Sequence, residues 1–400
     1  MHDNVLLAFS GGLDTSFCAA WLKHEKGLNV HAVTIDTGGF TAEEKAKIEE
    51  RAHLLGVNSF AWINGIQAYY HKVIRHLVYG NVLKNGTYPL SFSAERMTQA
   101  FLLAEYAQQN NFSTIAHGST GAGNDQVRFD LIFDLLLPDA KIITPIRDLK
   151  LSREEEINWL SEKGIHFDFT KAAYSINKGL WGTSVGGRET LTSHESLPDE
   201  AWPVPCSKTL PEKITLGFCA GELCSINGQS LPPAEAIATL HTLAAPFGIG
   251  RDIHTGDTII GIKGRVGFEA AAPLLIIKAH HALEKHVLTK WQLMLKEQQA
   301  HWYGTWLHEG QYFEPAMRNI EAFFESTQQH VSGEVFITLH PYRFTIDGIK
   351  SNADLMQAQG SSYGEMNNGW TGDDVKGFTR IYGNAVKTWM KLHTDKEAVQ

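Results

Sequence analysis

The sequence predicts an α/β protein in three parts: an N-terminal doubly wound parallel sheet, a C-terminal α+β region and a terminal helix. Three observations predict it. Strand and helix signals alternate through the first third of the chain, as in a parallel sheet covered on both faces. From about Phe169 to Pro211 the chain is rich in Gly, Ser, Pro and Thr and has no long periodic segment. Beyond Ile214, strands and helices mix without strict alternation. The expected domains are residues 1–168, 169–375 and 376–400.

Val5 to Phe9 is a short apolar run, read as a buried strand. A glycine turn leads into a helix over about Thr15–Lys26. Val30 to Ile35 is a second strand. Thr41-Ala42-Glu43-Glu44 is a capping box opening a helix to about Leu55. Ser59 to Ile63 is a third strand, and helices follow over about 67–78 and 94–109. Thr114 to His117 is a fourth strand. Asp125 to Leu137 has helical periodicity and stops at Pro138. Lys141 to Thr144 is a fifth strand, and Ser152-Arg153-Glu154-Glu155 caps another helix ending near Gly164. Later, Pro233–Leu243 and Ile277–Glu297 read as helices. Glu334–Leu339 and Arg343–Ile346 read as the arms of a hairpin. The last helix is expected over about Gly377–Leu392, with Phe378, Ile381, Tyr382 and Trp389 as its apolar residues.

The chain has 400 residues, 43% hydrophobic and 20% charged, enough to bury sizeable cores. Its formal net charge is −9, which disfavours a dedicated nucleic-acid or anionic-membrane binder. No stretch approaches a membrane span. The first strand begins at Asn4, leaving no room for a signal peptide, and four cysteines make no disulfide framework. A cytoplasmic protein of a reducing compartment is the expectation. Cys219 and Cys224 are expected as buried thiols rather than zinc ligands, and His280, His281 and His286 as non-metal histidines. Trp291, Trp302 and Trp306 are expected in a core or subunit interface.

Two loops carry the chemistry. Ser10-Gly11-Gly12-Leu13-Asp14-Thr15-Ser16 lies between the first strand and the first helix. A helix N-terminus offers unpaired N–H groups and partial positive charge, and two glycines let the backbone approach an anion. The hydroxyls of Ser10, Thr15 and Ser16 complete a phosphate cradle. The loop lacks the lysine of a Walker A motif and the spacing of a dinucleotide fingerprint. It resembles the Ser-Gly-Gly-x-Asp-Ser/Thr signature of the PP-loop ATP pyrophosphatases, which cleave ATP between the α and β phosphates. The second segment is Ala116-His117-Gly118-Ser119-Thr120-Gly121-Ala122-Gly123-Asn124-Asp125-Gln126-Val127-Arg128. Here glycines again expose backbone, an Asp suits an ammonium and an Arg suits a carboxylate, so the expected ligands are zwitterions beside a nucleotide.

Together the two loops resemble the signatures of the argininosuccinate synthase family. The resemblance continues through Tyr174-Ser175-Ile176-Asn177, Leu180-Trp181-Gly182, Ser184, Gly248-Ile249-Gly250-Arg251, Gly261-Ile262-Lys263-Gly264-Arg265 and Ser332-Gly333-Glu334-Val335. It implies an ATP-dependent C–N ligase on a PP-loop sheet. The ureido oxygen of citrulline attacks the α-phosphate of ATP. The aspartate amine then displaces AMP, giving argininosuccinate and pyrophosphate. It also implies Mg²⁺ on the phosphates with no protein metal site, and a homotetramer. By motif, Ala8, Phe9, Ser10, Gly11, Gly12, Leu13, Asp14, Thr15, Ser16, Ile35 and Gly118 match ATP contacts. Thr120, Asn124 and Asp125 match the aspartate set, and Tyr88, Ser93, Asn124, Arg128, Ser175 and Ser184 the citrulline set. Asp14, Asp125 and Arg128 are the residues assigned to catalysis.

The sequence departs from the family pattern in one region. Aligned on Lys263 and Arg265, Gly256 stands where the family has a citrulline-contacting Glu, and Phe268 where it has a Tyr. A lost substrate hydrogen bond costs about 1–3 kcal/mol. His254, Asp257 and Glu269 are the nearby candidates to compensate. The Ser-Ala-Glu-Arg and Gly-Phe-Glu-Ala-Ala-Ala-Pro segments are similar to those of a divergent branch of the same family. Two other readings stay open: a PP-loop enzyme adenylating a different ureido or amide compound, and an ATP-binding regulatory protein without turnover.

Overall fold

The computed structural model describes residues 3–121, 123–167, 174–357 and 369–393. The chain divides into two compact units, Met1–Asn352 and Ala353–Gln400. The expected boundary at residue 168 lies outside the described residues.

The first unit opens with β1 (Asn4–Ala8), α1 (Leu13–His24), β2 (Asn29–Asp36), α2 (Ala42–Leu54), β3 (Ser59–Asn64), α3 (Ile66–Tyr69), α4 (Arg75–Tyr79), α5 (Ser91–Gln109), β4 (Thr114–Ala116), α6 (Asp125–Leu136), β5 (Lys141–Ile143), α7 (Pro145–Leu149) and α8 (Arg153–Glu162). The five strands form a parallel sheet in the order β3-β2-β1-β4-β5. Alternation along β1 feeds two cores. Leu6 packs with Val33, Met97 and Phe101 on one face, and Val5 and Leu7 with Phe17 and Leu22 on the other. Helices therefore cover both faces, as a doubly wound sheet requires. Both expected capping boxes form, Thr41 with Glu44 and Ser152 with Glu155. Strand order reverses between β1 and β4, so the loops following these two strands flank one crevice at the carboxyl edge.

The unit continues through β6 (Ser175–Gly179), β7 (Gly182–Gly186), β8 (Glu212–Cys219), β9 (Glu222–Ile226), β10 (Gln229–Ser230), α9 (Pro233–Ala244), β11 (Arg251–Asp257), β12 (Lys263–Glu269), α10 (Ala271–Val287), α11 (Lys290–His308), α12 (Pro315–Gln328), β13 (Gly333–His340) and β14 (Arg343–Lys350). Two antiparallel sheets result, β10-β9-β8-β13-β14 and β11-β12-β7-β6. In the second unit, α13 (Gly372–Tyr382) and α14 (Asn384–His393) follow each other. Their apolar residues Phe378, Ile381, Tyr382 and Trp389 are exposed.

Several expectations are corrected. The Gly- and Ser-rich stretch holds the β6–β7 hairpin, because short strands with small residues carry little hydrophobic alternation. The helix expected over Ile277–Glu297 is two helices, interrupted where the Thr289 side chain caps α11. The terminal helix is likewise two, broken at Gly383. The helix over 67–78 carries a π turn at Tyr70–Ile74. Cys219 and Cys224 are not buried thiols. The tight β8–β9 turn sets their Cα atoms 6.0 Å apart, they form a disulfide, and Cys219 is exposed. Trp291 and Trp302 are exposed, which removes the core reading for them. His280 is a core residue, bonded through Nδ1 to Asn81 and through Nε2 to Gln328.

Candidate active site

The loop after β1 is shaped for an anion. Gly11 adopts φ +74°, and a Cβ there would stand 2.9 Å from Ile48. Gly12 occupies the N-cap of α1 in an extended conformation and offers no side chain to its amides. The first-turn N–H groups therefore face the crevice without an internal acceptor from the cap. The hydroxyls brace the loop: Ser16 donates to the Gly12 carbonyl at 2.7 Å, and Ser10 and Thr15 share a hydrogen bond at 3.2 Å. Arg51 donates to the Gly11 carbonyl. Phe9 is held by its N–H to Val33 and by Thr34 Oγ1 to its carbonyl. Ala8 and Leu13 close the two ends of the loop. Ile35 is buried near the end of β2, one residue before Asp36 accepts from Gly38 N–H. Burial raises the Asp14 carboxyl above its ordinary range, and Arg153 partly offsets this.

The loop after β4 meets the first one. A Cβ on Gly118 would come within 3.3 Å of the Asp14 backbone and of Thr15 Cγ2, a contact tight enough that any side chain there pushes the two loops apart. His117 is fixed beneath it, with Nε2 on Asp130 at 2.8 Å, and Arg147 holds the other Asp130 oxygen. Gln126 donates to the Gly121 and Gly123 carbonyls. Thr120 is exposed at the loop's rim. Asn124 accepts from the Ile259 N–H at 2.8 Å, which ties the tip of the β11–β12 hairpin to this loop.

Asp125 stands at the first turn of α6 between two arginines. Arg96 donates from Nε at 3.2 Å and Arg128 from Nη1 at 3.0 Å. Arg96 also reaches Asn177 on β6 and Gln99, and lies over the Phe92 ring. Arg128 is fully buried. It gives Nε and Nη2 to the His308 carbonyl and Nη2 to Ser93 Oγ. His308 Nδ1 lies 3.0 Å from the same Ser93 oxygen. Burial and the neighbouring Arg128 push the His308 pKa down to about 3, so this ring is neutral. Burial also lowers Arg128, which Asp125 offsets.

Of the residues matched to citrulline by motif, Tyr88 and Ser184 lie over one face of the third sheet. Directly opposed residues share a face, and Asn177, Ser184 and Phe268 are in register across β6, β7 and β12. Tyr88 covers this face, with its ring 4.9 Å from His254 and 5.2 Å from Phe268. Its hydroxyl accepts from the Phe92 N–H. Ser184 is buried there, whereas Ser175 is exposed at the sheet edge. Of the three candidate compensators, only His254 belongs to this face. Glu269 lies opposite Arg251 on the other face and accepts from it at 2.9 Å. Asp257 pairs with Lys263 at 2.6 Å.

Sequence reading missed Arg96, His308 and Glu95. Glu95 is buried, accepts from Thr37 at 2.6 Å and from Gln99, and is pushed up by burial. The adjacent Glu-Arg pair in the first turns of α5 was the available signal. His308 had none, being 180 residues from Arg128.

A helix end shaped for an anion lies beside an acid held between two arginines, the site of an α/β protein built to bind charged small molecules. Comparison with known proteins then specifies the class. Residues 4–166 match the arginosuccinate synthase N-terminal HUP domain, and residues 174–389 the arginosuccinate synthase C-terminal domain. The chain is 38% identical over 393 residues to an argininosuccinate synthase of Xanthomonas campestris pv. campestris, covering 95% of this chain and 96% of that one. It is 37% identical over 343 residues to that of Methanocaldococcus jannaschii, covering 85% and 86%. With that of Pyrococcus furiosus it shares 33% over 398 residues, covering 97% and 95%. The chain belongs to the argininosuccinate synthase family.

Proposed function

We propose that this chain ligates citrulline and aspartate to argininosuccinate, with cleavage of ATP to AMP and pyrophosphate, using the residues just described. The observation that carries the residue assignment is the meeting of the two loops at Gly118, Asp14 and Thr15. It supports a single site that joins the end of α1 to the loop leading into the Asn124–Asp125 segment. The α1 amides and the Ser10 and Thr15 hydroxyls hold the leaving pyrophosphate, on a loop that the Ser16 hydroxyl braces through the Gly12 carbonyl. The backbone near Ile35 meets the adenine. Asp125 and Asn124 hold the aspartate ammonium and orient its nitrogen, with Thr120 closing over it. Tyr88, Ser93 and Ser184 receive citrulline, and Ser175 sits at the mouth.

In the first step the ureido oxygen forms a bond to the α-phosphorus and the bond to pyrophosphate breaks. In the second the aspartate ammonium first gives up a proton to solvent, the free amine nitrogen bonds to the ureido carbon, AMP leaves with the oxygen and its bonding electrons, and the nitrogen releases a second proton to water. No side chain forms a covalent intermediate; catalysis is positioning and charge stabilisation. Mg²⁺ belongs to this reading as the counter-ion of the triphosphate, held by phosphate oxygens and water. The exposed apolar residues of α13 and α14 support a homotetramer in which these helices pack on other copies. No helix among the described residues is long and apolar enough to cross a membrane. A cytoplasmic location completes the reading.

The test is pyrophosphate release from ATP with citrulline alone, aspartate alone and both. Release of pyrophosphate with argininosuccinate only when both are present supports the reading. Absence of turnover with any ureido compound plus aspartate overturns it.

A further inference from the structure

The amino-acid end of citrulline carries a carboxylate, which calls for a cation with an open donor. Arg128, the residue matched to that task by motif, has a side chain only 1% exposed. It gives Nε and Nη2 to the His308 carbonyl, Nη1 to Asp125 and Nη2 to Ser93. A guanidinium buried among these acceptors has no bidentate edge open to a ligand.

Lys84 stands beside the same residues. It pairs with Tyr88 in an isolated antiparallel bridge, with N–H donation in both directions at 2.7 and 3.1 Å. Directly opposed residues send their side chains to one side. The Asn85 amide ties this turn to β11, donating to the Thr255 carbonyl at 3.4 Å. The half-buried Lys84 ammonium donates to Thr305 Oγ1 on α11 at 3.3 Å, and among the described residues it belongs to no ion pair. Burial lowers its pKa, and Glu309 and Asp257 offset this in part from beyond ion-pair distance. Burial and then Lys84 lower His254, whose ring stacks on Tyr88. Burial, Arg128 and Lys84 hold His308 at about 3, and its Nδ1 lies 3.0 Å from Ser93 Oγ. Lys84 thus acts on the two rings that touch two of the residues matched to citrulline.

The nearby acids leave Lys84 without a close partner. Asp257 pairs with Lys263 at 2.6 Å. Asp252 shares the strand face of His254 but stands opposite Phe268, roughly 13 Å along β11 from Gly256. Glu309 is exposed one helical turn beyond Thr305, to whose carbonyl its N–H donates. An ammonium that is half out of water without an ion pair is a receptor for a carboxylate that a ligand brings.

We propose that Lys84 binds the α-carboxylate of citrulline, the task that sequence matching gives to Arg128. This rests on the ligase reading above. It makes Lys84 a specificity residue, because a ureido compound without that carboxylate loses its anchor.

The experiment compares the parent chain with Lys84→Met, which keeps an unbranched stem and removes the charge. Citrulline is the substrate. Two compounds are tested as inhibitors competing with it: 5-ureidopentanoate, which keeps the carboxylate and lacks the ammonium, and N-carbamoylputrescine, which keeps the ammonium and lacks the carboxylate. In Lys84→Met the KM for citrulline and the Ki of 5-ureidopentanoate are expected to rise about tenfold or more, the loss of a charged hydrogen bond. The Ki of N-carbamoylputrescine and the KM for ATP should change by less than about twofold. An unchanged KM for citrulline, or equal weakening of all three compounds, overturns the proposal and leaves the ligase reading intact. No turnover of citrulline by the parent overturns both. Lys84→Gln keeps a donor for Thr305 and serves if the methionine variant fails to fold, with the same result expected. Lys84→Arg keeps the charge and should hold the KM for citrulline within about threefold of the parent. A folded arginine variant as weak as the methionine one overturns the assignment of the charge to the carboxylate.

Discussion

Arg128 spends two of its N–H groups on one backbone carbonyl, that of His308, at 3.1 and 2.8 Å. A further donor goes to Asp125 and another to Ser93. The sequence suggested a guanidinium fork open to a substrate carboxylate. Arg128 is fully buried, joins α6 to the end of α11 and holds Asp125 and Ser93 in place. Arg128→Lys keeps the charge but loses the fork. The expected cost is about 2–4 kcal/mol of stability, read by urea denaturation, with a loss of kcat exceeding any change in KM for ATP.

Asp125 receives both Arg96 and Arg128. Its carboxylate is about a quarter exposed and is the acid assigned to the aspartate ammonium. Asp125→Asn keeps an acceptor for the arginines and removes the charge. The KM for aspartate should rise about 10–100-fold, the value of a charged hydrogen bond, while that for ATP changes little. Steady-state kinetics with each substrate varied separately makes the comparison. Equal increases in both constants would contradict the assignment.

The parallel sheet and its two loops were legible because their signals are local. Val5–Phe9, the glycines and the hydroxyls of one short segment already define a strand, a turn and a helix end. The capping boxes at Thr41 and Ser152 were equally local, and both formed. What could not be read depends on distant pairing. His308 meets Arg128 across 180 residues, and His254 meets Tyr88 only because the β11–β12 hairpin folds over the loop. The split at Thr289 was missed for another reason: apolar periodicity runs across the break and masks the cap.

Gly118 tests the meeting of the loops. Gly118→Val would drive methyl groups into the Asp14 backbone and Thr15 Cγ2, since even a lone Cβ would stand only 3.3 Å from each. The loops must separate, which displaces the α1 amides from the phosphates. The KM for ATP should rise at least tenfold, whereas Gly118→Ala should show a smaller effect of the same sign. Calorimetric titration with a non-hydrolysable ATP analogue separates this from an effect on chemistry. Unchanged nucleotide affinity in the valine variant would disconnect Gly118 from the ATP site.

Glu156 is buried beneath the phosphate loop on α8, and its Oε2 lacks a hydrogen-bond partner. Burial, then the charge of Asp14, pushes its pKa up to about 8, against the partial relief of Arg153. In the unfolded chain this carboxyl titrates near the ordinary 4.5. Between those values the folded state holds a proton that the unfolded state has released. Folding stability from this group is therefore full below 4.5 and is lost as pH rises toward and past 8. Glu156→Gln keeps the shape and removes the titration. The variant should be more stable than the parent at pH 9, by about 1–2 °C in Tm per kcal/mol gained, with little difference near pH 5. Thermal denaturation of both proteins across that range makes the test. A pH-independent difference would mean that Glu156 stays charged in the folded protein and that Arg153 outweighs its burial.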